Sequence, residues 1–149
     1  MPQNNVKPTV LMVDDDPDFQ TIVRGWISPH YDHVGLMNGE ALIEELAGLE
    51  PKLVILDVNM PGLDGFTLCS CIRADRRFTD LPILFITGRK EDEAFVQNLN
   101  AGGTAYLTKP IKREQLLSML RELIGPVSAL SLSSMSPMEM PHGTRSKRR

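Results

Sequence analysis

Five residues that could do chemistry together stand at the ends of four short, largely apolar runs. Asp14 and Asp15 follow Thr9–Val13, Asp57 follows Leu53–Leu56, Thr87 follows Ile83–Ile86, and Lys109 stands just past Thr104–Leu107. Three carboxylates brought together repel one another and shift each other's proton affinity. A divalent cation removes that conflict. An oxygen-only ligand set selects a hard ion such as Mg²⁺, which keeps several waters beside one or two carboxylates and a phosphoryl oxygen. A lysine, a hydroxyl and Mg²⁺ around a free carboxylate suit phosphoryl transfer, where positioning and charge neutralisation do most of the work. The carboxylate is then the nucleophile and the product an acyl phosphate. Singly, each residue has an ordinary explanation: acids after a strand cap helices, Thr87 suits a cap, and Lys109 is a solvated lysine before a turn proline. Four separate strand ends carrying compatible chemistry make coincidence a poor account.

These residues meet only if the runs are parallel strands whose carboxyl ends share one edge. Leu53–Leu56 reads as a strand buried on both faces. After it, Met60-Pro61-Gly62 breaks the chain and Asp64-Gly65 opens a helix with Leu68, Cys69 and Ile72 inward. After the first strand, Asp16 caps a helix with Pro17 in its first position. There Phe19, Ile22, Val23, Trp26 and Ile27 recur at helical spacing and predict one buried face. A second strand is expected at His33–Met37. Asn38 then caps a helix with Leu42, Leu46 and Leu49 on one face, ended by Pro51. A fourth helix is expected from about Arg89 to Gly102-Gly103, with Glu91, Asp92 and Glu93 complementing its dipole. The last helix presents Leu116, Leu117, Leu120, Leu123 and Ile124 and stops at Gly125-Pro126. Strands alternating with helices five times predict an α/β fold, a doubly wound parallel sheet with helices on both faces.

The bulk properties agree. The chain has 149 residues, 42% hydrophobic and 23% charged, enough for one domain with a substantial core. No apolar run reaches membrane-spanning length, so no membrane insertion is expected. Cys69 and Cys71 point to different sides of a helix, which fits a reduced, cytoplasmic setting. Residues 1–125 carry 12 basic against 18 acidic side chains, and residues 126–149 carry 4 against 1. The acidic body argues against direct nucleic-acid binding. The expected organisation is a lead-in at 1–8, a domain at 9–125, and a mobile Ser/Met/Pro-rich tail at 126–149 with a basic end.

Four motifs carry a resemblance over residues 8–125: VDDD at 13–16, LDVNMPGLDG at 56–65, FITG at 85–88 and AYLTKPI at 105–111. Together they resemble the receiver domain of two-component response regulators. The resemblance implies a flavodoxin-like, five-stranded parallel sheet of order 2-1-3-4-5 with five helices. It implies Asp57 as phosphoacceptor, and Asp14, Asp15, Asp57 and the backbone carbonyl of Asn59 as Mg²⁺ ligands. Thr87 would meet the phosphoryl group, Lys109 would pair with it, and Tyr106 would be an aromatic switch. Lys109-Pro110 is often cis in this family. The donor would be a histidine kinase or phosphotransfer protein. The output would be a downstream protein bound at the face of the fourth helix, fifth strand and fifth helix. The protein would be a stand-alone switch, monomer or weak dimer, in the manner of chemotaxis regulators. It would not be an enzyme beyond its own autophosphorylation and autodephosphorylation. Gly103-Thr104 departs from the acidic residues of many members, and Gly88 leaves more room at the phosphate than alanine. Asn59 and Arg89 hold positions that in the resembled family tune phosphoryl lifetime.

Three rivals are weaker. A haloacid-dehalogenase-like phosphatase needs a second aspartate two residues past the first, where this chain has Asn59. A dinucleotide-binding domain needs a glycine loop after the first strand, where this chain has Asp14-Asp15-Asp16-Pro17. A degenerate receiver acting as a scaffold would lack a site residue, and none is missing.

Overall fold

A computed structural model describes residues 6–62, 64–89 and 104–125. Five strands run parallel: β1 (Thr9–Val13), β2 (Asp32–Leu36), β3 (Leu53–Asp57), β4 (Ile83–Thr87) and β5 (Ala105–Thr108). Their spatial order is β2-β1-β3-β4-β5. The flavodoxin-like order expected for the fold is therefore present. Between them lie helices α1 (Pro17–Ile27), α2 (Leu42–Leu49) and α3 (Gly65–Arg73) and a 3₁₀ turn at Arg76–Phe78, and α4 (Arg113–Ile124) follows β5. The helix expected between β4 and β5 falls at residues 90–103. It lies outside the described residues, as does the tail.

Burial along each strand reports its place in the sheet. All five residues of β3 and of β4 are buried, because helices cover both faces. The edge strand β2 has no fully buried residue. Alternate residues point to opposite faces, so each strand feeds two cores. Leu11, Val13, Val54, Leu56, Ile83 and Phe85 pack with Leu42, Leu46, Leu68, Cys69 and Ile72. Val10, Met12, Leu53, Ile55, Leu84 and Ile86 pack with Val23, Ile27, Leu116 and Leu120. Each such side chain contributes about 1.5–3 kcal/mol by burial.

Several local expectations hold. Asp16 caps α1, its carboxylate accepting from the N–H groups of Asp18 and Phe19, and Pro17 opens the helix. Asp64 caps α3 through the N–H of Thr67. Cys69 is buried and Cys71 exposed.

Three expectations are corrected. The second strand ends at Leu36, and Met37 is 44% exposed. Asn38 does not cap α2. Its carboxamide oxygen takes the N–H of Glu40, and α2 starts from Ala41 without a side-chain cap. On α1 the buried residues are Gln20, Val23 and Ile27, while Ile22 is 46% exposed. The buried stripe thus includes a glutamine in place of an isoleucine.

Candidate functional site

Pairing register brings the chemistry to one edge. Val13 is level with Leu36 and Leu56, Asp57 with Ile86, and Thr87 with Thr108. The chain then leaves β1, β3, β4 and β5 at Asp14, Val58, Gly88 and Lys109. Two backbone bonds fix these exits: Val58 N–H donates to the Ile86 carbonyl at 2.8 Å, and Lys109 N–H to the Thr87 carbonyl at 2.8 Å. The Lys109-Pro110 peptide is cis. Gly65 lets α3 begin tight against the end of β3, since a Cβ there would lie 2.6 Å from the Asp57 carbonyl oxygen.

Carboxylate oxygens of Asp14, Asp15 and Asp57 all lie within 4.8 Å of one another. Asp14 and Asp57 are buried, and Asp15 is exposed. Asp14 Oδ1 accepts from the N–H of Asp16 at 2.9 Å, and Asp57 Oδ1 accepts from the N–H of Asn59 at 3.0 Å. Asp14 Oδ2 is buried with no hydrogen-bond partner among the described residues. Lys109 Nζ stands 3.9 Å from it and also 4.8 Å from the centre of the Phe19 ring. Burial pushes the Asp14 carboxyl up to about 6. The neighbouring Asp57 and Asp15 charges add to the rise, while the Asp16 N–H and Lys109 oppose it. Asp57 is raised for the same leading reason, burial, against the Asn59 N–H and Lys109.

One ammonium cannot neutralise three carboxylates. An oxygen-only cluster with an orphaned buried oxygen fits a hard divalent cation, and the residues present therefore suit Mg²⁺.

Thr87 is fully buried. Its hydroxyl accepts from the N–H of Arg89 at 3.1 Å and faces the Asn59 carboxamide oxygen at 3.4 Å and the Arg89 carbonyl at 3.3 Å. Gly88 N–H also donates to the Asn59 oxygen, at 3.2 Å. Asn59 thereby ties the loop after β3 to the loop after β4. Tyr106 is level with Phe85 and half-buried against that strand's core face. A Cβ at Gly88 would meet nothing within 4 Å, which agrees with the roomy position expected there.

Asp14, Asp15, Asp57, Thr87 and Lys109 therefore stand at the carboxyl ends of the strands, while Tyr106 lies within β5, level with Phe85. Two neighbours were not anticipated: Phe19, under the Lys109 ammonium, and Gln20. A cavity of about 540 Å³ lies away from the carboxylates, between α2 and the 3₁₀ turn, lined by Leu46, Pro51, Arg76 and Phe78 among others. None of Asp14, Asp15, Asp57, Thr87 and Lys109 lines it, so chemistry rather than concavity locates the site.

Residues 10–121 match the family model of the response regulator receiver domain. The chain belongs to the response regulator receiver family. It is similar to the DNA-binding dual master transcriptional regulator RpaA of Synechocystis, with 35% identity over 78% of this chain and 49% of that protein. The chain spans about half the length of several curated relatives it matches. Among solved structures it resembles chemotaxis protein CheY4 of Vibrio cholerae (TM-score 0.73, 26% identity, 79% of this chain and 99% of that one). It also resembles the beryllofluoride-activated N-terminal receiver domain of Klebsiella pneumoniae RstA (TM-score 0.70, 30% identity, 79% and 99%). This receiver is a phosphorylation-activated domain, of a family phosphorylated on aspartate. Receivers interact with histidine kinases and downstream effectors. No helix among the described residues is long and apolar enough to cross a membrane.

Proposed function

We propose that Asp57 is the phosphoacceptor of this receiver, and that a histidine kinase or phosphotransfer protein supplies the phosphoryl group from a phosphohistidine. One observation carries the reading: Asp57 ends the central strand with Oδ1 held by the Asn59 N–H and its carboxylate beside the acids that follow β1. In the transfer, an Asp57 oxygen bonds to phosphorus as the phosphorus–nitrogen bond of the donor breaks. The imidazole leaves with that electron pair and takes up a proton. Asp14, Asp15, Asp57 and the Asn59 carbonyl would hold Mg²⁺, which when bound offsets the charge of the phosphoryl oxygens. Lys109 pairs with a phosphoryl oxygen, releasing its long-range hold on Asp14. Incubation with acetyl phosphate and Mg²⁺ adds one phosphoryl group by intact mass, and Asp57→Asn adds none. Full labelling of the variant would overturn the assignment.

The outgoing signal runs through Thr87. Its hydroxyl proton faces two acceptors at distances long for an O–H donor, so a phosphoryl oxygen, a stronger acceptor, redirects it. The loop at Thr87-Gly88 then moves toward Asp57, and Tyr106 turns further inward, a shift between two packings. Paired structures with and without beryllofluoride test this: Tyr106 changes rotamer in the wild type and stays put in Thr87→Ala. One rotamer throughout would mean another route.

The output is a protein partner bound at β5, α4 and the segment between β4 and β5, and the domain functions in the cytoplasm as a monomer or weak dimer. Its own chemistry is limited to gaining and losing the phosphoryl group. Residues 9–125 form the folding unit. A chain ending at Pro126 melts with the full chain, and a large drop in melting temperature would place the tail on the body.

A further inference from the structure

Gln20 is the buried polar residue of α1, 7% exposed, and no charge partner explains it. Its Nε2 faces three carbonyl oxygens: Leu36 at 3.0 Å, Asp14 at 3.1 Å and Met12 at 3.2 Å. Its Oε1 is buried without a hydrogen-bond partner among the described residues. An amide with an unpaired acceptor is a poor choice for filling space, because leucine or methionine would fill it without burying an unsatisfied oxygen. The donor is what the position supplies.

The three carbonyls belong to the exits of β1 and β2. The Leu36 carbonyl also accepts the N–H of Asp14 at 3.0 Å. Asp14 is thus held at its N–H by β2, at its side chain by the Asp16 N–H, and at its carbonyl by Gln20. No other donor among the described residues reaches the Asp14 carbonyl. Because a peptide unit is planar, orienting that carbonyl also orients the N–H and Cα of Asp15. Asp15 is exposed.

The partner of this clamp is Gly35 on β2. A Cβ there would lie 2.5 Å from Gln20 Oε1, 2.9 Å from Cδ and 3.2 Å from Nε2. The carboxamide occupies the space that any side chain at residue 35 would fill. Glycine weakens a strand interior, and the clamp accounts for one here.

We infer that Gln20, seated against Gly35, is a positioning residue that sets the Asp14–Asp15 peptide and with it the cation affinity of the acid pair. The inference rests on the proposed metal role of Asp14 and Asp15. It differs from a packing role in what it predicts. Loss of packing lowers stability alone, whereas loss of the clamp weakens Mg²⁺ binding beyond any loss of stability.

The experiment is a Mg²⁺ titration of the full chain, followed by amide chemical shifts and by melting temperature. It compares Gln20→Met, Gly35→Ala, their combination, Val23→Ala and Asp15→Ala. Gln20→Met keeps the volume and removes the donor. Gly35→Ala keeps the glutamine and expels its carboxamide. Each raises the Mg²⁺ dissociation constant about tenfold, which is 1.4 kcal/mol at 25 °C. The combination raises it no further, since both act on one contact. Val23→Ala, a core deletion on the same helix, lowers the melting temperature and leaves Mg²⁺ affinity as in the wild type. If Gln20→Met and Gly35→Ala both bind Mg²⁺ like the wild type while Asp15→Ala loses it, the clamp is overturned and the metal site stands. If Val23→Ala weakens Mg²⁺ as much as they do, the effect is general loosening and the clamp is likewise overturned. If Asp15→Ala retains wild-type affinity, the metal reading itself fails and takes the clamp with it.

Discussion

Two aspartates at different places in the molecule are held in opposite ways. Asp75, before the 3₁₀ turn, receives two hydrogen bonds from the Arg77 side chain, at 3.0 and 2.7 Å, and one from its N–H at 3.0 Å. Those bonds hold its carboxyl down to about 2, with the Arg77 side chain the largest cause. Asp14 has one backbone donor, a distant lysine and two carboxylate neighbours, and burial pushes it up to about 6. The first acid has its charge matched by the Arg77 guanidinium beside it. The second is left short of positive charge, in the place where three loops converge. A pairing deficit inside a well-made fold is what separates a binding acid from a structural one.

The comparison can be broken most directly at the metal. Mg²⁺ raises the melting temperature of the wild type by mass action, and Asp15→Ala abolishes that gain, read by a thermal melt across a Mg²⁺ series. The corresponding change at the satisfied acid, Asp75→Asn, leaves the Mg²⁺ response intact. An equal response in Asp15→Ala would place the ion elsewhere.

A smaller effect comes from removing the buried charge itself. Without Mg²⁺, Asp14→Asn gains about 2–3 kcal/mol at pH 7, the order expected for a carboxyl pushed from 3.8 up to about 6, measured by urea unfolding. The pH dependence follows the same sign. A carboxyl whose folded pKa lies above its unfolded value binds more protons when folded. Its contribution is therefore full below the unfolded pKa of 3.8 and is lost as pH rises through about 6. Metal-free wild type gains stability from Asp14 between pH 7 and pH 5, and Asp14→Asn lacks that slope. For Asp75 the sign reverses: its contribution is present above 3.8 and lost as pH falls toward 2.

The smallest effect tests whether a strained position away from the acids matters to them. Glu50, the carboxyl cap of α2, sits in the left-handed region at φ 50°, ψ 57°. Glycine adopts that conformation without the Cβ penalty. Glu50→Gly stabilises the fold by about 0.5–1 kcal/mol in chemical denaturation and leaves Mg²⁺ affinity and phosphorylation unchanged. A change in either would connect the two regions.

What was legible in the sequence follows the same division. The strands ending in Asp57 and Thr87 are apolar on both faces, so composition alone announced them, and the polar residue breaking each run is the one that ends the strand. Caps such as Asp16 and Asp64 were legible because their chemistry is local. The edge strand β2, half-buried and weakly patterned, slipped by one residue. Gln20 escaped because periodicity counts apolar residues, and its reason for burial is three carbonyls on other elements. Asn38 looked like a cap by type, yet its turn closed on Glu40 before the helix began. The signal for Gln20 was a polar residue three before Val23 and seven before Ile27, on their helical face, with a glycine in the strand it covers.

The central claim is that Asp14 lacks positive charge until a cation arrives. Carboxyl-carbon NMR titration of Asp14, with and without saturating Mg²⁺, measures that directly. The account predicts a midpoint near 6 in the metal-free protein and a drop below the ordinary carboxylate range once Mg²⁺ is present. A midpoint near the ordinary value of 3.8 in the metal-free protein, unmoved by Mg²⁺, would contradict it.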